Sequence, residues 1–150
     1  MKVHNGDIVT SVHYKPTDKH AYLRYDSHHP LKCRDSIPYS QFLRLRRICS
    51  DNDKFKDECT KMADFFRSRG YPQRVVAESQ LRVTNVQRED ALRTKVHDDQ
   101  HKIPLVVPYC AISRKIVDIV RRNARLLASN ADIGACFQDN IVTAYKNATN

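Results

Sequence analysis

Three arginines in the first third of the chain, Arg44, Arg46 and Arg47, are of a type and spacing suited to binding phosphate. Arg44 and Arg47 are three residues apart, so a helix places them on the same side. Guanidinium groups arranged in this way can donate paired hydrogen bonds to successive phosphates. The alternative is a solvated face whose charges are partly neutralised by an acidic segment that follows. The acidic residues of that segment are Asp51, Asp53, Asp57 and Glu58.

A second basic group lies in the last third, where Ser113 to Ala128 have the periodicity of an amphipathic helix. The predicted apolar face contains Ile116, Ile119, Val120, Asn123, Leu126 and Leu127. The predicted phosphate-binding residues of this helix are Arg114, Lys115, Arg121, Arg122 and Arg125. Asp118 is the only acidic residue in the same stretch, so internal neutralisation would be slight. The exposed face could instead bind an acidic protein partner.

The histidines His20, His28 and His29, together with Cys33, lie close enough in sequence to suggest a zinc site. Their spacing fits no standard zinc motif, and adjacent His28 and His29 would point in different directions. We interpret the segment as a polar turn and expect no metal and no cofactor.

The usual sequence motifs of catalysis are missing from the chain. It has no Gly-x-Ser-x-Gly nucleophile motif and no glycine-rich phosphate loop. Asp98-Asp99 lies in a polar tract and does not follow a tyrosine between apolar strand segments, as the metal site of a polymerase requires. We therefore expect no catalytic residues and no enzymatic activity of this chain by itself.

The net charge of +9 indicates a polyanionic partner, of which nucleic acid is the commonest. The positive excess lies in the first and last thirds, around a balanced middle. A soluble protein that is basic without such a partner is the alternative. Hydrophobic residues make up 41% of the chain, which argues against complete disorder, and only 3 glycines disfavour a β-sandwich.

The location that we expect is intracellular, the nucleus included. The first residues lack the apolar core of a signal peptide, and no stretch approaches the length of a membrane span. The five cysteines include no Cys-x-x-Cys pair, so we interpret them as reduced thiols. Cys49 and Cys59 fall on apolar helix faces and are expected to pack there.

Strands are expected only near the N-terminus and in one later segment. Asn5-Gly6 is typical of a two-residue β-hairpin turn, with a second arm over residues 7–15. A short strand is predicted over 21–25, followed by a loop over 26–36. Residues 103–109 contain two prolines, which restrict them to an edge strand or a docked extended segment.

Helices are predicted for most of the remainder. The first opens at Ser36-Ile37-Pro38 and ends at Ile48; the second is capped by Asp51 or Asp53 and ends at Gly70. A third begins at Tyr71-Pro72 and runs towards Leu92. Residues 137–150 are expected to be weakly structured.

Several of these runs resemble the C-terminal portion of Penelope-like retroelement reverse transcriptases of animals. The runs are YKPTDKHAYLRYDSHHP from Tyr14, SIPYSQFLRLRRICSD from Ser36 and FFRSRGYP from Phe65. In that family a hairpin ending in Tyr-x-Lys-Pro-Thr-Asp precedes an Ile-Pro-Tyr-x-Gln-x-x-Arg-x-Arg-Arg-Ile-Cys helix and a helix ending in Gly-Tyr-Pro. The resemblance is specific over residues 10–72 and looser from 73 onward, where IPLVVPYCAISRKIVDIVRRN is similar to a later segment of the family.

The resemblance implies a mainly α chain: a short N-terminal β-hairpin, a small helical bundle of helix-turn-helix type, and a basic C-terminal helix. It implies that residues 1–35 are a truncated hairpin from a polymerase palm and that 36–150 form the helical module. The family's Tyr-x-Asp-Asp motif would lie upstream and its GIY-YIG endonuclease downstream, so this chain would be a non-catalytic fragment.

The function implied is binding of a template–primer duplex, RNA–DNA or DNA, with low sequence specificity. Lys15 would lie near the duplex, and the helix with Arg44, Arg46 and Arg47 would begin the thumb-like region. A protein-interaction module and a decayed fragment without function are the alternatives. The sequence leaves the oligomeric state open, and no membrane partner is expected.

Overall fold

The computed structural model describes residues 2–4, 7–93, 103–132, 134 and 141–146. The chain divides into two compact units. Unit 1 comprises residues 1–27 and 31–94, and unit 2 comprises residues 28–30 and 95–150. The proposed division into a polymerase remnant at 1–35 and a helical module at 36–150 concerns ancestry and stays a prediction.

Unit 1 begins with the predicted antiparallel hairpin, formed by β1 (Lys2–His4) and β2 (Asp7–Val9) with Val3 opposite Ile8. The turn residues Asn5 and Gly6 lie outside the described part. β2 ends at Val9, earlier than predicted, because Thr10 bonds elsewhere. Its amide donates to Ser50 Oγ at 3.0 Å, and its carbonyl accepts from the Ser50 amide at 3.2 Å.

The predicted strand over 21–25 is wrong, because this segment packs on helices and joins no sheet. The Tyr22 ring lies 5.1 Å from that of Phe66, and the Tyr25 ring lies 5.2 Å from that of Tyr71. The Tyr25 amide donates to the Arg69 carbonyl at 3.0 Å. The bulky residues that suggested a strand therefore serve helix packing.

Helix α1 (Leu31–Ile48) begins earlier than expected, with Pro38 inside it. The predicted loop over 26–36 is therefore wrong from Leu31 onward. A proline inside a helix removes one backbone donor. Here Pro38 is fully buried, and burial of its apolar ring acts against that loss. The end at Ile48 is confirmed.

Helix α2 (Asn52–Ser68) follows the prediction closely. Asp51 is the N-cap, and its carboxylate accepts from the Lys54 amide at 2.9 Å. That backbone hydrogen bond lowers the pKa of Asp51, because it favours the charged carboxylate. The buried stripe contains Phe55, Cys59, Met62, Ala63 and Phe66.

A four-residue turn, residues 69–72, joins α2 to α3 (Gln73–Thr84). Gly70 has φ +80°, its amide donates to the Arg67 carbonyl at 3.0 Å, and the Tyr71 amide donates to the Phe66 carbonyl at 3.1 Å. This pair of bonds defines a Schellman motif. The expected helix from Tyr71 to Leu92 is interrupted at 85–87, after which α4 (Arg88–Leu92) follows.

The core of unit 1 comes from α1, α2 and α3, which confirms the predicted small helical bundle. Fully buried side chains are Phe42 and Leu45 from α1, Met62 and Phe66 from α2, and Val76 and Val83 from α3. Cys49 and Cys59 are buried in the same cluster, as predicted. Burial raises the pKa of both thiols, to about 12 for Cys59.

Unit 2 contains β3 (Ile103–Pro108), α5 (Ser113–Ala128) and β4 (Ile141–Lys146). β3 and β4 are parallel, with Ile103 opposite Ile141, so α5 lies in the connection of a β-α-β unit. The predicted strand and helix are confirmed. The expectation of weak structure is wrong for 141–146, because β4 forms by pairing with a strand distant in sequence; residues 137–140 and 147–150 lie outside the described part.

Within the described residues, no helix has the length and apolar character needed to cross a membrane.

We expect the substitution Gly70→Ala to destabilise unit 1 by about 1 kcal/mol, because an L-residue is strained at positive φ. Apart from the adjoining backbone, no atom lies within 4 Å of the position of the added Cβ, so the loss would report backbone strain alone. Urea unfolding measures it, with Arg69→Ala (φ −94°) as the control. Equal stability of Gly70→Ala and the native chain would contradict the assigned turn.

Candidate nucleic-acid interface

Arg44 lies on the exposed side of α1. Burial, followed by the charge of Glu58, raises the pKa of Tyr14; burial also raises that of Tyr22. The positive charge of Arg44 favours the ionised form of both phenols and so opposes both increases in pKa. It forms no ion pair with any residue in the described ranges and is available to an external anion.

Arg46 is buried, with 9% of its surface exposed. Its Nε donates to the Val86 carbonyl at 3.0 Å and its Nη1 to Asn52 Oδ1 at 2.6 Å. The guanidinium carbon lies 5.0 Å from the Phe55 ring centroid. These contacts leave Arg46 without the exposure that a phosphate ligand needs. Arg46 therefore has a structural role, because it links α1 to the residues after α3 by a hydrogen bond.

Arg47 is exposed, and its Nε donates to the Ala91 carbonyl at 2.7 Å. This bond satisfies a carbonyl in α4 and uses only Nε of the guanidinium. Arg44 and Arg47 therefore form the exposed arginine pair of α1, with Arg46 on its inner side.

The acidic residues of α2 do not neutralise this arginine pair in the described structure. Three of the four carboxylates of α2 form ion pairs within their own helix. These pairs are Asp53–Lys56, Glu58–Lys61 and Asp64–Arg67. Lys15, in the turn before α1, is also exposed, and its carbonyl accepts from the Asp18 amide at 2.9 Å.

The basic residues of α5 belong to unit 2 and form a separate group. Arg114 and Lys115 are exposed near its start. Arg121 Nη2 donates to Thr143 Oγ1 at 3.1 Å, and Arg122 Nε donates to the Asp118 carbonyl at 3.3 Å. The side chain of Arg125 lies outside the described part.

Sequence reasoning missed the outward face of α3. The residues exposed along this helix are Gln73, Arg74, Ala77, Glu78, Leu81, Arg82 and Thr84. Ala77 lies near the middle of the face. Glu78 is the one carboxylate of α3, and Arg74 Nη1 lies 3.6 Å from its Oε1. The signal that could have found this face is the Arg-Gly-Tyr-Pro turn between two amphipathic segments.

The exposed face of α3 has side chains suited to a DNA groove. Arg and Gln can form paired hydrogen bonds with guanine and adenine in the major groove, and a small residue such as Ala77 permits close approach. Gln73 Oε1 accepts from Arg67 Nε at 2.8 Å, which fixes its amide near the start of the helix. The Arg82 guanidinium lies 4.4 Å from the Tyr39 ring centroid, so this arginine packs back on α1.

His20, one of the histidines considered for zinc, packs against aromatic rings. Its ring stacks on Phe65 with centroids 3.9 Å apart and lies 4.7 Å from Tyr14. Among the described residues, no group of three or more His, Cys, Asp or Glu side chains could hold a metal ion.

Residues 21–81 match the family model described as Animal helix-turn-helix domain. The match extends through α1, α2 and most of α3, and so contains the whole turn between α2 and α3. No curated protein and no solved structure matches the chain significantly. Fold and family match together indicate a helix-turn-helix-like region, which is consistent with a transposon-related origin and with nucleic-acid binding.

We expect Arg46→Met to destabilise unit 1 by roughly 1–3 kcal/mol, because it removes two hydrogen bonds and leaves the Val86 carbonyl without its donor. Arg44→Met is the matched control: the same change at an exposed position should alter stability by less than about 0.5 kcal/mol. Chemical unfolding of both variants decides the point. Equal losses would show that Arg46 has no special structural role.

Proposed function

We propose that unit 1 binds duplex nucleic acid, with α3 entering a groove. The observation that carries this proposal is the α2–turn–α3 arrangement, with a polar outward face whose one carboxylate is paired to Arg74. Helix-turn-helix domains place their second helix in the major groove. The family match over residues 21–81 and the net charge of +9 support the same function.

The exposed arginine pair of α1 and Lys15 are proposed as phosphate-binding residues. Arg44 and Arg47 lie on the side of α1 away from its buried residues Phe42 and Leu45. They would therefore act as a contact region separate from α3, attracting the sugar–phosphate backbone without reading bases. Arg46 is left out of this set because it is buried.

We further propose that the chain derives from a Penelope-like reverse transcriptase and that its nucleic acid is a template–primer duplex. The support is the resemblance over residues 10–72, which overlaps the animal helix-turn-helix match at 21–81. In this proposal the chain binds but does not catalyse, since its sequence carries no polymerase metal motif. Low sequence specificity would follow if phosphate contacts dominate the binding energy.

Charge reversal of the arginine pair tests the phosphate contacts. Arg44→Glu with Arg47→Glu should weaken duplex binding at least tenfold and flatten the salt dependence by about 0.9 in log–log slope for each lost contact. Fluorescence anisotropy with labelled DNA and RNA–DNA duplexes across a salt series measures both quantities.

The matched control is Lys56→Glu with Lys61→Glu, which makes the same charge change on α2. It should leave most of the affinity intact. Because Arg47 also bonds the Ala91 carbonyl, thermal melts verify folding, and Arg44→Glu alone should give about half of the free-energy effect. Equal loss in the control and the arginine variant would refute a localised contact region.

A carboxylate added to the middle of the α3 face tests groove docking. Ala77→Glu should weaken duplex binding at least tenfold, because it places an added negative charge against phosphates. Ala77→Gln adds the same bulk without charge and should retain more affinity. Since Ala77 is exposed, both variants should fold. Native affinity of Ala77→Glu would exclude α3 from the interface.

A further inference from the structure

Helix α5 presents large apolar side chains to solvent. Ile119, Leu126 and Leu127 are 53%, 70% and 43% exposed, respectively. The side of α5 that packs within unit 2 carries other residues, with Val117 and Ala124 buried. The helix therefore has two apolar sides, of which only one is covered in the described structure. Phosphate binding alone would not explain the second apolar side, which Ile119, Leu126 and Leu127 form.

The exposed apolar side borders a groove between α5 and the start of β4. Its volume is about 400 Å³, and its apolar lining is Ile119, Val120, Ala124, Leu126, Leu127 and Ile141. Asn123 also lines it, but its Nδ2 donates to the Ile119 carbonyl at 2.8 Å, so this amide is partly satisfied by its own helix. The surface of the groove is therefore almost entirely apolar, and its one polar side chain already has a hydrogen-bond partner.

Two cations flank this apolar side. Lys115 lies four residues before Ile119, and Arg122 lies four residues before Leu126, so each is a neighbour of the apolar row on the helix surface. Both are exposed. Neither forms an ion pair with any described side chain, and the nearby Asp118 accepts from Arg122 only through its backbone carbonyl.

We propose that this α5 groove binds an acidic amphipathic helix of a partner protein. Apolar side chains at three- and four-residue spacing would fill the floor, and carboxylates beside them would pair with Lys115 and Arg122. A second copy of this chain is disfavoured, because two such cationic rims would repel each other. A nucleic-acid backbone would gain nothing from an apolar floor. The surface belongs to unit 2 and is independent of the nucleic-acid proposal for unit 1.

The probe is a designed, fluorescein-labelled helical peptide of about 16 residues, with leucines at helical spacing and flanking glutamates. A matched peptide carries lysines in place of the glutamates, and a third carries the same residues with the leucines spread around the helix. Fluorescence anisotropy against the full chain should show binding of the first peptide. Its affinity should exceed that of each of the other two by at least about tenfold.

Two pairs of substitutions localise the binding. Ile119→Ser with Leu126→Ser should lower the affinity for the glutamate peptide at least about tenfold. Lys115→Glu with Arg122→Glu should lower that affinity to the same extent and raise the affinity for the lysine peptide. The controls are Leu31→Ser, at a 52% exposed leucine of α1, and Arg114→Glu, which should both bind the glutamate peptide as the native chain does. Circular dichroism melts verify that the variants fold.

Three results would overturn the proposal: no preference of the native chain among the peptides, native affinity in the serine pair, or absence of a charge effect in the glutamate pair. A fourth is loss of duplex DNA binding in the glutamate pair with peptide binding unchanged, which would assign these cations to nucleic acid.

Discussion

The direction of α3 depends on Phe66 at the end of α2. The ring of Phe66 lies in the buried core, and its carbonyl belongs to the Schellman turn. Its carbonyl accepts from the Tyr71 amide at 3.1 Å, and its ring contacts those of Phe42, Tyr22 and Tyr71 with centroids 5.0–6.1 Å apart. A glycine at positive φ lets the chain reverse within four residues. The turn sets the direction in which α3 leaves α2, and packing on α1 and α2 then buries Val76, Ser79 and Val83.

The Arg-Leu-Arg-Arg run of α1 contains both structural residues and candidate ligand-binding residues. Leu45 and Arg46 face inward, Leu45 into the apolar core and Arg46 onto the Val86 carbonyl and Asn52. Arg44 and Arg47 face outward. Buried and exposed guanidinium groups therefore alternate at helical spacing, and a count of arginines overstates the charge available to a ligand.

Local signals in the sequence predicted local structure well. The Asp51 cap, the Gly70 stop, the stripe from Phe55 to Phe66 and the bounds of α5 are each determined by neighbouring residues. The strand expected at 21–25 is wrong because bulky side chains such as Tyr22 and Tyr25 also suit packing on helices. β4 was missed because its partner β3 lies far away in sequence and no local pattern reports such pairing.

The same distinction holds for the candidate site. Arg46 is buried because the segment around Val86 packs against α1, whereas Arg44 is exposed. Helical spacing within α1 cannot show which segments pack there. The α3 face was overlooked because its residues, mostly uncharged, form no cluster in the sequence. Its significance arises from the turn and from the order of three packed helices.

The most direct test of duplex binding by unit 1 is an NMR titration of the ¹⁵N-labelled chain with a short DNA duplex. Our account predicts that the largest amide shifts fall within residues 73–84, and that the Nε–H signals of Arg44 and Arg47 move while that of Arg46 stays. Shifts confined to unit 2, or an equal response of all three arginines, would contradict it.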